Sequence, residues 1–101
     1  MKYRVISAAM IEATESALWY EDQQSGLADE FYAELKSGLD RISENPMRMP
    51  LLEQYSGVHN VRRSLLKRFP YAIIFMITDS EVVVLAVAHT HRRPLYWLSR
   101  L

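Results

Sequence analysis

Two nearly unbroken apolar runs constrain this chain more than any other feature. Tyr71-Ala72-Ile73-Ile74-Phe75-Met76-Ile77 and the stretch from Glu81 to Ala88, which carries Val82, Val83, Val84, Leu85, Ala86 and Val87, flank the polar triplet Thr78-Asp79-Ser80. Runs rich in β-branched and aromatic residues, joined by a short polar turn, predict a β-hairpin. Their apolarity is continuous rather than alternating. Both faces of these strands must therefore be covered, as in the central strands of a sheet.

The segments before the hairpin follow other periods. Tyr3-Arg4-Val5-Ile6 reads as a short strand, and the Ser7 hydroxyl is suited to cap the helix that follows. Ala9, Ala13, Ala17 and Tyr20 recur at helical spacing to about Gln24, and Met10, Ile11 and Leu18 widen the expected apolar stripe. The small alanines imply close approach to a neighbour. Ser25-Gly26 breaks the pattern. A second helix is predicted from Leu27 to Glu44, with Phe31, Leu35, Leu39 and Ile42 along one face and Gly38 beside them. Asn45-Pro46 ends it, because the residue before proline is driven out of the α region. So short a link predicts an antiparallel helical hairpin. Residues 46–57 read as loop, and Val61, Leu65 and Leu66 mark a further strand. The acidic residues Glu12, Glu15, Glu21, Asp22, Asp29, Glu30 and Glu34 are expected on solvated helix faces. Trp19 and Tyr20 are expected in the core, and Tyr96 and Trp97 as anchors pinning the tail to the helices. The order β-α-α-β-β-β predicts one α+β domain over residues 1–101, a helical hairpin packed on a small antiparallel sheet.

Composition narrows the function classes. At 101 residues and about half apolar, the chain can bury one modest core. No apolar stretch is long enough to span a bilayer, and no h-region follows Met1-Lys2-Tyr3-Arg4, so neither a membrane nor a secretory role is expected. The absence of cysteine excludes disulfides and thiolate metal sites and fits a reducing cytoplasm. The formal net charge is zero, yet residues 1–58 hold five Lys+Arg against ten Asp+Glu, and residues 59–101 hold seven against two. The basic half is the place to look for an anionic partner.

Several segments together resemble the RelE/ParE toxin superfamily. Trp19-Tyr20-Glu21 with Gly26-Leu27-Ala28-Asp29-Glu30-Phe31 is similar to its helix junction, and Asn45-Pro46 to its helix end. The stretch from Val61 through Arg68-Phe69-Pro70-Tyr71 to Phe75 resembles its central strands, and His89-Thr90-His91-Arg92-Arg93-Pro94-Leu95-Tyr96-Trp97 its C-terminal pattern. The resemblance implies a cytoplasmic, growth-inhibiting toxin of a type II toxin–antitoxin (plasmid stabilization) module. It implies a cognate antitoxin as partner and the possibility of a higher-order toxin–antitoxin complex. The ParE-like branch, favoured by the central strands and tail, implies binding to DNA gyrase without catalysis. The RelE-like branch implies metal-independent cleavage of messenger RNA on the ribosome. A binding module of the same fold without toxicity is a third class. No cofactor is implied.

Two constellations carry these readings. Arg62, Arg63, Lys67, Arg68, Arg92 and Arg93 form a candidate target- or phosphate-binding surface, an antitoxin-docking surface, or a set of solvated strand-edge charges. If the strand is unbulged, Arg62 and Arg68 share one face, and Arg63 and Lys67 the other. For RNA cleavage, His89 or His91 would handle protons, with Tyr96 as acid or stacking platform. No Asp or Glu lies nearby in the tail to orient either imidazole. A His-x-His pair lacks the third ligand that a metal site needs, and none is expected.

Overall fold

In a computed structural model that describes residues Met1–Leu101, the two apolar runs pair antiparallel as strands β3 (Tyr71–Ile77) and β4 (Val82–His89). The hairpin is the centre of a four-stranded sheet. Strand β2 (Asn60–Leu65) pairs antiparallel with β3, and strand β1 (Tyr3–Val5) pairs parallel with β4, giving the order β1-β4-β3-β2. The expected antiparallel sheet is therefore mixed along one edge. Helices α1 (Ser7–Gln23) and α2 (Leu27–Glu44) follow β1 directly and lie together on one face.

Alternation along the strands divides the core in two. Ile73, Phe75, Val82, Val84 and Val87 face the helices and meet Ala9, Ala13 and Ala17 of α1 with Phe31, Leu35, Leu39 and Ile42 of α2. Gly38 is where α2 comes down on the sheet, because a Cβ there would stand 2.9 Å from Ile73 Cδ1. Tyr20, Phe31, Phe69 and Tyr71 form an aromatic cluster under the helix junction, with Tyr20 and Phe69 ring centres 4.8 Å apart. On the opposite face, Ala72, Ile74, Val83, Leu85 and Ala88 are covered by Leu52 and Trp97. Both faces of β3 and β4 are thus buried, as their unbroken apolarity requires.

The helix junction is held from within. Gly26, at φ 94°, begins α2 in a left-handed conformation. The Glu21 carboxylate accepts the backbone N–H groups of Gly26 at 3.0 Å and Ala28 at 3.0 Å. Those bonds, the one from Gly26 foremost, hold its carboxyl below the usual carboxylate range.

Several expectations are corrected. Ser7 does not cap α1; it is the first helical residue, and Ile6 occupies the cap position without a side-chain bond. Ile6 N–H donates to Val84 O at 3.2 Å while Ile6 O accepts from Met10 N–H, so the last rung of β1 passes straight into the first helical bond. Met10, Ile11 and Leu18 do not join the core but are 52%, 56% and 61% exposed, and Trp19 is exposed as well. The alanines bring α1 so close to the sheet that only a narrow stripe of it fits. Strand β2 stops at Leu65, so Lys67 and Arg68 lie in the turn before β3, and their backbone N–H groups donate to Glu34 instead of a strand. Trp97 is buried as an anchor, but against the sheet face away from the helices.

Candidate functional site

Beyond Val84, β1 has ended and one edge of β4 has no strand beside it. Side chains take the missing strand's place. Glu12 of α1 accepts the Val87 backbone N–H at 3.0 Å, and Arg100 donates to the Leu85 carbonyl at 2.9 Å. Leu85 is the extra residue of a β-bulge, where pairing jumps from Phe75↔Val84 to Ile74↔Ala86. The same Glu12 carboxylate accepts from the Tyr96 hydroxyl at 2.6 Å, Arg92 Nη1 at 3.2 Å, and Arg100 Nη1 and Nη2 at 3.0 Å each. Its side chain is only 12% exposed. One carboxylate in the first helix thus fastens the strand edge and the whole C-terminal tail. The bidentate pairing with Arg100 is the stronger kind of charge-assisted bond.

This hub fixes the chemistry open to Tyr96. Burial first, then the hydrogen bond to Glu12, pushes its phenol well above the ordinary value of 10.0. The Arg92 guanidinium lies over the ring, 3.7 Å from its centre. Burial and Tyr71 also raise the Tyr20 phenol above 10.0. The folded chain favours the protonated phenols, so the stability they confer is intact below the unfolded value near pH 10 and is lost as pH rises beyond it. Urea unfolding between pH 8 and pH 11 is expected to show parent stability falling above about pH 10. Tyr96→Phe, which removes one of the two phenols, should show a shallower fall; equal slopes would show that Tyr96 is not held neutral.

The six basic candidates do not form one surface. Arg62 points to the helix side, where its guanidinium donates to the Met47 and Met49 carbonyls and, at 2.9 Å, to Asn60 Oδ1. It staples the 3₁₀ turn Pro46–Arg48 to the sheet. Arg68 pairs with Glu30, beside the exposed Lys67 in the β2–β3 turn. Arg63, Arg92 and Arg93, by contrast, are brought together around a groove of about 260 Å³ on the sheet face opposite the helices. Arg63 and Arg93 make no ion pair or side-chain hydrogen bond. His89 lies at the groove's end, its Nδ1 accepting the His91 backbone N–H at 3.1 Å. The two imidazoles sit 5.4 Å apart, and no carboxylate bonds to either. No cluster of three or more metal-ligating side chains is present.

The expectation that Glu12 lies on a solvated helix face is corrected, since its side chain is 12% exposed, and the sequence reading gave Arg100 no role. Their signals were faint. Glu12 stands three residues after Ala9 and one before Ala13, at the margin of the buried stripe. Arg100 belongs to the basic surplus of the second half.

A helical hairpin on a four-stranded mixed sheet, with its far face closed by the chain's own tail, defines a small α+β protein whose accessible feature is a cationic groove. The family model described as "ParE toxin of type II toxin-antitoxin system, parDE" matches residues 8–94. The chain belongs to this ParE toxin family. Among solved structures, one described as "Chromosomal ParDE TA system from P. aeruginosa" is similar with a TM-score of 0.76 and 15% identity, over 90% of this chain and 97% of that one. At that identity the likeness speaks for the fold. No curated protein matches. No helix is long and apolar enough to cross a membrane.

Proposed function

We propose that this chain is the toxin of a type II toxin–antitoxin module and arrests growth by binding an essential protein target in the cytoplasm, with DNA gyrase as that target. A cognate antitoxin holds it inactive. Membership of the ParE family supports the toxin assignment. The observation that carries the non-catalytic mode is the Tyr96–Glu12 bond of 2.6 Å. A phenol already committed to a carboxylate and raised in pKa is a poor proton donor near neutrality. The absence of a carboxylate bonded to His89 or His91 points the same way, because an orienting partner is what usually fixes a catalytic imidazole.

Expression of the chain alone in bacteria tests this. The expected result is growth arrest with intact transcripts, a DNA damage response, inhibited supercoiling by purified gyrase, and rescue by a co-expressed neighbouring antitoxin. Mapped cuts in ribosome-bound messenger RNA, lost in His91→Ala and Tyr96→Phe, would replace this reading with the RelE-like one. Unimpaired growth would leave a binding module of the same fold.

A further inference from the structure

The groove on the sheet face opposite the helices has a shape and a lining that select among ligands. Its depth comes from small residues. Ala72 pairs with Ala88 across β3 and β4, with Ile74 beside them, so a trough runs between Leu65 of β2 and the tail. Leu65 is 51% exposed at the trough's side. Arg63 stands on the same strand face two residues before it, while Arg92 and Arg93 close the far wall. The result is an aliphatic floor whose rim carries three guanidinium groups against one carboxylate, that of Glu53, so the lining is net positive.

A volume of about 260 Å³ lies just under the roughly 300–1,000 Å³ of small-molecule pockets and suits one or two side chains. Single-stranded nucleic acid fits the lining poorly. Its binding draws on open aromatic faces for base stacking, and here Trp97 is 2% exposed while Arg92 covers the Tyr96 ring. Carboxylates flanking one aliphatic side chain match both parts: bidentate pairing with Arg63 and Arg93, which have no internal partner, and burial of the side chain over Ala72 and Ala88.

We propose that this groove binds an acidic, extended segment of a protein partner, with an aliphatic side chain seated between carboxylates. This rests on the reading that the chain works by binding protein rather than by cutting RNA. Arg63 and Arg93 are the primary anion contacts. Arg92, tied to Glu12, forms the fixed wall against which the segment lies.

The test uses the purified 101-residue chain and the peptide acetyl-Glu-Asp-Leu-Asp-Glu-amide, followed by NMR. Saturable shifts are expected at the Ala72 and Ala88 methyls and at the Arg63 and Arg93 Nε–H groups. Replacing the peptide's Leu with Ala, or its acids with Gln and Asn, should weaken binding by about tenfold or more, the scale of one lost buried aliphatic side chain or charged pair. Arg63→Glu with Arg93→Glu should abolish binding. Ala88→Leu, which fills the trough and keeps every charge, should do the same. Shifts that never saturate, or that lie outside the groove, overturn the proposal. Tighter binding of pentauridylate at the same residues overturns it in favour of nucleic acid. A dimer of the chain alone that dissociates in the Arg63→Glu, Arg93→Glu variant overturns it in favour of a second copy. Because these measurements need no toxicity, a chain that binds the peptide yet permits growth would refute the toxin reading and leave the groove standing. One that arrests growth without binding the peptide would do the reverse.

Discussion

Replacing Glu12 with alanine is expected to cost about 3–5 kcal/mol of folding stability, the scale for removing one partner of a largely buried ion pair. The substitution leaves the Val87 N–H and the Tyr96 hydroxyl without their acceptor and sets the Arg100 guanidinium beside Arg92 with no anion between them. Such a loss is a large share of the roughly 5–15 kcal/mol that holds a domain of this kind together. Glu12→Gln keeps a carbonyl acceptor and should be milder. Urea unfolding measures both, and trypsin adds a local readout, since cleavage after Arg92, Arg93 and Arg100 should accelerate in the alanine variant. Stability within about 1 kcal/mol of the parent, the usual size of an exposed ion pair, would mean that the hub contributes no more than a surface contact.

The two tryptophans should behave oppositely. Trp97→Ala removes a side chain 2% exposed, packed in the same cluster as Val61, Ile74 and Leu85, and is expected to cost about 3–5 kcal/mol. For a domain of about 100 residues that is a fall in Tm of well over 10 °C. Trp19→Ala removes a ring 57% exposed on the outer side of α1 and should change stability by no more than about 0.5 kcal/mol. Thermal melts of the pair decide it. Equal shifts would contradict the assignment of Trp97 to the covered sheet face.

Most of the architecture could be read from local patterns. The unbroken runs at Tyr71–Ile77 and Val82–Ala88 announce central strands because no other cover satisfies them. The spacing of Phe31, Leu35, Leu39 and Ile42 announces the buried side of α2, and all four are buried. Pattern alone misled at α1. Hydrophobicity does not distinguish a residue turned to the core from one turned to solvent, so it places Met10, Ile11 and Leu18 on the wrong side. The alanines among them carried the true signal, since small residues mark the line of closest approach.

The site was less legible, for a different reason. Its contacts are long in sequence: Tyr96 reaches Glu12 across 84 positions and Arg100 across 88. No helical or strand period encodes such a meeting; it follows from β1 lying parallel beside β4, which sets the start of α1 against the last strand. Arg62 shows the converse. Its charge marks it as surface, and only the fold reveals that the Met47 and Met49 carbonyls consume it. Of the basic residues singled out, those that remain available are the ones for which the fold supplies no internal acceptor.

The pairing of Tyr3 with Val82, and of Glu12 with Arg100, also has a consequence during synthesis. The first strand made must wait for the last, and the clasp needs Arg100, made 88 residues after Glu12. Until β4 and Arg100 have left the ribosome, helices can form but the sheet cannot close. A polypeptide cut before Arg100 leaves the ribosome without its fastening.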